Sequence, residues 1–307
     1  TPGGTGAVGI SVTSTLEPGQ TLIIPEIAWG SYSLMAQMSN IKTAAYSLFE
    51  GDHFNLDSFK KTVQDVMKTQ DKVVVIINDP CHNPTGYTMS EEEWKEVVDF
   101  LNECSKTHSV VLINDIAYID FSYRKEKAKE YFHVFDSISP NMAVVVAFSI
   151  SKAMTSYGLR CGAAIILANS PEAVEEIKIV FEKEARAIWS NINNGAMQMF
   201  VDVLDNHQDA YLAEKQKYVD LLEERSSIFV KEAAEAGLSH YPYKEGFFIT
   251  LDLDNETADK FHAALMDEHI YTVKVNKGIR VAVCAVPVFQ IKGLAGRMKE
   301  ILDKVTA

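Results

Sequence analysis

The chain has 307 residues, 47% of them hydrophobic, and a formal charge of −13. With a mean hydropathy of −0.04 it reads as a globular protein able to bury one large core or two smaller ones. The acidic balance argues against nucleic acid as a partner, because no basic excess is present to neutralise phosphates, and no apolar run reaches the ~20 residues of a membrane-spanning helix.

The chain opens on Gly3-Gly-Thr-Gly6-Ala7, and Val8 to Leu16 then predicts a helix. Short apolar runs at 21–24, 42–45, 72–77, 109–113, 142–148 and 162–167 predict strands, several of them apolar throughout, as in strands covered on both faces. Between them, residues 56–68 after Asn55 and residues 90–104 predict helices, the second opening on the capping box Ser90-Glu-Glu-Glu93. Strand, helix, strand at this spacing indicates an α/β three-layer sandwich: a mostly parallel sheet flanked by helices, with ligands beyond the carboxyl ends of the strands.

From Pro171 charged faces replace apolar runs, and two long helices are predicted, 172–204 and 209–237, with Gly195 weakening the first. After Tyr241-Pro242-Tyr243 come strands at 247–252, 271–275 and 280–284, a helix at 257–267 and a closing helix at 288–305. This is a smaller α+β C-terminal domain of antiparallel strands and helices. The expected division is a large domain over 1–204, an interdomain helix over 205–239 and a small domain over 240–307. Cys81, Cys104, Cys161 and Cys284 lie far apart with no Cys-x-x-Cys pair. They predict reduced thiols in a cytoplasmic protein, with neither a disulfide framework nor a metal site.

The residues able to carry chemistry stand just past predicted strands. Lys152 lies in Ser149-Ile-Ser-Lys152 after the run ending at Phe148, with Arg160 eight residues on. It is either a polar loop residue or an amine whose pKa is lowered so that it forms an imine with an aldehyde. The opening glycines, Gly4 and Thr5 among them, are either an ordinary turn or a phosphate cradle at a helix start. Asn83, in Asn78-Asp-Pro-Cys-His-Asn-Pro-Thr-Gly86, either satisfies its own backbone or presents its amide to a planar ligand. His82 beside it reads as structural. Asp115 caps the next helix or pairs with a protonated ring nitrogen. Tyr118 packs or donates to a ring oxygen, and Trp29 anchors the core or stacks on a ring. Together these are the needs of pyridoxal 5'-phosphate.

Asn83-Pro-Thr-Gly86, Asp115-x-x-Tyr118 and Ser149-x-Ser-Lys152 with Arg160 and Gly162 resemble, in order and spacing, the fold-type I pyridoxal-phosphate enzymes, and within them the class I/II aminotransferases of the aspartate and aromatic type. The resemblance implies that Lys152 is the Schiff-base lysine and proton carrier, that Asp115 partners the pyridine nitrogen, and that Asn83 and Tyr118 donate to the ring oxygen. It places Gly4, Thr5, Ser149, Ser151 and Arg160 at the phosphate, Trp29 over the ring, and Arg280 on the substrate α-carboxylate. It further implies a homodimer acting on small amino and 2-oxo acids, with aspartate and 2-oxoglutarate as the expected pair. A C–S β-lyase on the same scaffold is an alternative. The resemblance begins only after a long N-terminal segment of the family, so the chain is expected to be a fragment, and an inactive remnant is a further alternative. A dinucleotide-binding oxidoreductase is disfavoured, because the glycine fingerprint and ribose-binding acid are missing.

Overall fold

The computed structural model describes residues 1–306. Its frame is a six-stranded sheet in the order β2-β1-β5-β6-β7-β8, made of β1 (Thr21–Pro25), β2 (Lys42–Tyr46), β5 (Lys72–Asn78), β6 (Ser109–Asp115), β7 (Met142–Ser149) and β8 (Gly162–Ala168). Five strands run parallel and β8 runs antiparallel to β7. A short hairpin, β3 (Phe49–Glu50) with β4 (His53–Phe54), leads into helix α3 (Leu56–Met67).

The period of two along the strands divides the core into two faces. Val73, Val75 and Ile77 of β5 point to one side with Leu112 and Val144. There they meet Phe59 and Val63 of α3 and Trp94, Val97 and Leu101 of α4 (Glu91–Cys104). Val74 and Ile76 point to the other side, against Ala7, Val8 and Val12 of α1 (Gly3–Thr15) and Tyr32 and Ala36 of α2 (Ser31–Met38). Both faces are therefore apolar, and the central strands read as unbroken hydrophobic runs. The capping box at α4 forms as predicted: the Ser90 hydroxyl accepts from Glu93 N at 3.1 Å and Glu93 Oε2 accepts from Ser90 N at 2.8 Å.

A second core lies under α8 (Gln208–Ala236). Its three-stranded antiparallel sheet is ordered β10-β11-β9, with β9 at Phe248–Asp252, β10 at Val273–Val275 and β11 at Gly278–Ala282. Ile249, Leu251, Ile279 and Val281 meet Phe261 and Leu265 of α9 (Asn255–Asp267) and Met298 and Ile301 of α11 (Leu294–Thr306).

Three sequence expectations change. The opening glycines are not a turn before a helix: α1 begins at Gly3 itself. The long helix expected over 172–204 is two helices, α6 (Pro171–Ile188) and α7 (Asn194–Asn206). Ser190 takes a left-handed φ of 64° and the Asn193 side chain caps the second helix through Ala196 N, so the break comes from backbone turn and cap rather than from Gly195. The closing helix is likewise divided into α10 (Val288–Ile291) and α11, with Gly293 between them at φ 78°. No helix is long and apolar enough to cross a membrane, and no cluster of potential metal ligands occurs, among the described residues. All four cysteines are free thiols.

Candidate active site

Parallel strands deliver their carboxyl ends to one edge of the sheet. Register places Asn78 of β5 beside Asp115 of β6, and Asp115 beside Ala147 of β7, two residues before Ser149. The segments that leave these strand ends carry Trp29 after β1, Asn83 after β5, Tyr118 after β6, and Lys152 on the short helix α5 (Ile150–Ala153) after β7. With Asp115, Gly4, Thr5, Ser149, Ser151, Arg160 and Arg280 they line a single cleft of about 290 Å³. Every predicted site residue thus meets the others in one place.

Asp115 is the buried charge of the site, 5% exposed. Its Oδ2 accepts from the Tyr32 hydroxyl at 2.6 Å and its Oδ1 from Ala117 N at 3.1 Å. Burial raises its carboxyl above the ordinary value, and these two donors oppose the shift. The contact to Ala117 is a local turn and not the helix cap expected as one reading of Asp115, since the following 3-10 helix, Ile119–Phe121, starts after Tyr118 with no side-chain cap.

Asn83 is held between both cores. Its N donates to Asn78 Oδ1 at 2.7 Å, its Nδ2 lies 3.4 Å from the Tyr118 hydroxyl, and its Oδ1 accepts from Arg280 Nη1 at 2.9 Å. The loop that carries it is gripped from the C-terminal part of the chain. Thr250 Oγ1 donates to Pro84 O at 2.6 Å, and Gly86 O accepts from Lys244 N and Glu245 N. The Glu245 carboxylate, itself buried, accepts from Thr88 Oγ1 and Ser122 Oγ. His82 in this loop is buried, with Nδ1 2.8 Å from Thr85 Oγ1. Burial lowers its pKa to about 3, so it is neutral and lies outside the cleft wall, as its structural reading requires.

Lys152 is half-buried, and burial lowers its amine below the ordinary lysine value, helped by Arg280 and Arg160 and opposed by Cys284. Its Nζ lies 5.8 Å from the Tyr118 ring centre and 5.0 Å from that of Tyr157. Arg160, at a left-handed φ of 53°, donates through Nη1 to Ser151 Oγ at 3.2 Å and through Nη2 to Pro2 O at 3.2 Å. Gly3 and Gly4 close this end of the cleft. A Cβ on Gly3, at φ 72°, would sit 2.5 Å from Arg160 Nη2, and one on Gly4 would sit 3.2 Å from the Ser149 Cβ. Only glycine allows so close an approach at the start of α1.

Trp29 meets Tyr32 edge to face at a centroid distance of 5.4 Å while lining the cleft, so it takes part in both core and site. Arg280 lies over Phe248, its guanidinium carbon 4.2 Å from the ring centre, and its Nε is buried with no partner. Sequence reasoning missed Tyr32, Asn78, Tyr157 and Phe248. Asn78 had a visible signal, an amide ending an apolar strand in the same position as Asp115 on the next. Tyr32 and Phe248 had none, since each is marked only by its long-range partner.

Residues 1–298 match the family model described as Aminotransferase class I and II. A crystal structure of an aminotransferase from Anaerococcus prevotii superposes with a TM-score of 0.95 at 34% identity, covering 99% of this chain and 75% of that one. The mitochondrial aspartate aminotransferase P2 of Lupinus angustifolius is 25% identical over 206 residues, 66% of this chain and 44% of that protein. The mitochondrial aspartate aminotransferase of Gallus gallus is 22% identical over 245 residues, 76% of this chain and 56% of that protein. The chain thus spans about half the length of these curated relatives. Family match, fold and the arrangement of strand-end residues agree: the chain belongs to the class I and II aminotransferases.

Proposed function

We propose that the protein of which this chain is the whole or a part is a pyridoxal 5'-phosphate-dependent aminotransferase that moves an amino group between an L-amino acid and a 2-oxo acid. The observation that carries the reading is the single cleft in which Lys152, Asp115, Asn83, Tyr118 and Arg280 face a glycine-walled end closed by Ser149, Ser151 and Arg160. The donor set suits the cofactor. Asp115 is a buried carboxylate with hydrogen-bond donors but no cation, as a partner for a protonated pyridine nitrogen should be. Gly4 and Thr5, at the start of α1, line the cleft beside the Arg160 guanidinium and the Ser149 and Ser151 hydroxyls, as a phosphate group needs.

When bound, the cofactor supplies an aldehyde that condenses with amines and a ring that withdraws electrons from the reacting carbon. The roles of the protein groups come from their places. Asp115 keeps the ring nitrogen protonated, and Tyr32 holds the Asp115 carboxylate in its orientation. Asn83 and Tyr118 donate to the ring oxygen, and Trp29 covers the ring. Arg280 fixes the substrate α-carboxylate by a charge-assisted fork, which sets the Cα hydrogen toward Lys152. Lys152 Nζ, its basicity moderated by burial, takes the proton from Cα and returns it on the other side of the transfer.

We infer aspartate as the amino donor from the names of the relatives above, and take 2-oxoglutarate as acceptor and a homodimer from the family resemblance, and the cytoplasm from the unpaired cysteines. Treating the protein with cofactor, reducing with borohydride and mapping the labelled peptide tests the site: modification of Lys152 is expected, and modification of a different lysine overturns it. Release of pyruvate and ammonia from cystathionine, with no amino transfer to 2-oxoglutarate, would replace transfer by β-elimination.

A further inference from the structure

Glu26 lies just past β1, three residues before Trp29, and no role in the chemistry falls to it. Its backbone N donates to Tyr46 O at 2.9 Å and its Oε1 accepts from the Ser47 hydroxyl at 2.8 Å, which anchors it to the edge of the main sheet. Its other acceptors face across the cleft to the second core. Oε2 accepts from Lys277 Nζ at 2.6 Å, and the backbone carbonyl accepts from Asn276 Nδ2 at 2.9 Å. Asn276 and Lys277 form the turn between β10 and β11, and Arg280 lies three residues beyond Lys277 on β11.

That turn is itself stiff. Lys277 N donates to Asn255 Oδ1 at 2.8 Å, Lys277 O accepts from the Tyr241 hydroxyl at 2.9 Å, and the Asn276 Oδ1 accepts from Asn255 Nδ2 at 3.1 Å. Ile279 and Val281, on either side of Arg280, are buried. A pull on the turn is therefore transmitted to Arg280 rather than absorbed along the strand. Arg280 needs such support. Its guanidinium lies over Phe248 and donates to Asn83 Oδ1, but a cavity of about 910 Å³ lined also by Glu26, Trp29, Asn83 and Asn276 adjoins it. Its buried Nε has no partner and no carboxylate holds it. Among the described residues no other ion pair joins the β10–β11 hairpin to the main-sheet side.

We propose that Glu26 is a positioning residue: through Lys277 and Asn276 it clasps the hairpin carrying Arg280 to the loop carrying Trp29, and so sets the spacing between the carboxylate fork and the opposite wall of the cleft. An exposed ion pair would do little of this. Here Lys277 is exposed but the Glu26 side chain is only 19% exposed, and the hydrogen bond from Asn276 Nδ2 to the Glu26 carbonyl adds a second link beside the ion pair.

The inference rests on Arg280 as the carboxylate fork, and the test separates the two. α-Methylaspartate and α-methylphenylalanine, amino acids with no Cα hydrogen to remove, are titrated by calorimetry into the cofactor-loaded protein and into its E26Q, K277M, E26Q/K277M, K277R and R280A variants, and KM and kcat for aspartate and phenylalanine are measured beside them. K277M, on a half-exposed turn, keeps the test valid should E26Q fold poorly. Expected are a weakening of about two- to fivefold in Kd and KM for each single variant, kcat within about twofold, and a double variant no worse than the worse single one. K277R should restore binding, and added salt should weaken binding by the wild type more than by K277M. Near wild-type affinity in both E26Q and K277M, or additive losses in the double variant, overturns the role of Glu26 while loss of binding in R280A still upholds the fork. Unchanged binding in R280A, or no binding of either amino acid by the wild type, overturns the fork and this role with it.

Discussion

Replacing Tyr32 by Phe tests the electrostatics of the site without any assumption about substrate. Phenylalanine preserves the ring that meets Trp29 edge to face and removes only the hydroxyl that donates to Asp115 Oδ2 at 2.6 Å. Tyr32 and Asp115 are both buried at the floor of the cleft, so water replaces the lost donor only in part. A hydrogen bond to a charged group contributes about 1.5–3 kcal/mol, and its loss raises the Asp115 pKa further. Burial already holds that pKa above its unfolded value. Between the unfolded and folded values the native state binds more protons, so stability falls as pH rises across the window and is level above it. The substitution moves the upper end of the window higher. The deficit of Tyr32→Phe relative to wild type is therefore smallest at acid pH, grows through the titration of Asp115, and levels at about 1.5–3 kcal/mol. Urea unfolding of both cofactor-free proteins at several pH values from 5 to 8 measures it. A deficit independent of pH, or one below about 0.5 kcal/mol at the alkaline end, would refute a charged Asp115 held by Tyr32.

Asp79 gives a second pH dependence. Its buried carboxylate accepts from Met89 N at 2.7 Å and Trp94 Nε1 at 2.8 Å, yet burial outweighs both and raises its pKa to about 7. The same sign applies, so its contribution to stability falls as pH rises from its unfolded value of about 4 toward neutrality, and D79N should flatten the pH profile of the unfolding midpoint in that range. Gly86→Ala should destabilise by about 2–4 kcal/mol, because Gly86 has φ 71° and a Cβ there would lie 2.3 Å from Tyr243 Cδ2 and 2.5 Å from Phe248 O; equilibrium unfolding checks the loss. Ser90→Ala removes the α4 cap and should cost about 1 kcal/mol, seen as a lower denaturant midpoint with an unchanged slope.

The main sheet was legible because burial on both faces leaves an unmistakable mark: Val73 to Ile77 and Val144 to Val146 have no polar residue to spare. The chemistry was legible for a related reason, since Asn83, Asp115 and Lys152 each stand at or just past the end of such a run and parallel strands bring their ends together. The features that escaped notice depend on backbone turns or distant partners. The break between α6 and α7 is made by Ser190 and Asn193, which read like any polar residues in a charged helical stretch. Tyr32 meets Asp115 across 83 residues of chain, and a tyrosine on an amphipathic helix carries no sign of that. The Glu26 contact with Lys277 spans 251 residues, and its two charges look like ordinary surface residues until the fold joins them.

The grip on the Asn83 loop has a consequence for the order in which the protein is made. The segment from Pro84 to Thr88 finds its fasteners in Lys244, Glu245 and Thr250, 157 to 166 residues later for its side-chain contacts. At a translation rate of about 5–20 residues per second, a ribosome needs roughly ten to thirty seconds to deliver them. During that interval the sheet can already be built, with Asp115 and Lys152 on its edge, while Asn83 waits on a loop whose clamps have not yet emerged. Vectorial synthesis therefore gives the chain its anchoring amine well before the wall that will present Asn83 beside it, and a nascent protein in this interval has a scaffold but only half of its pocket.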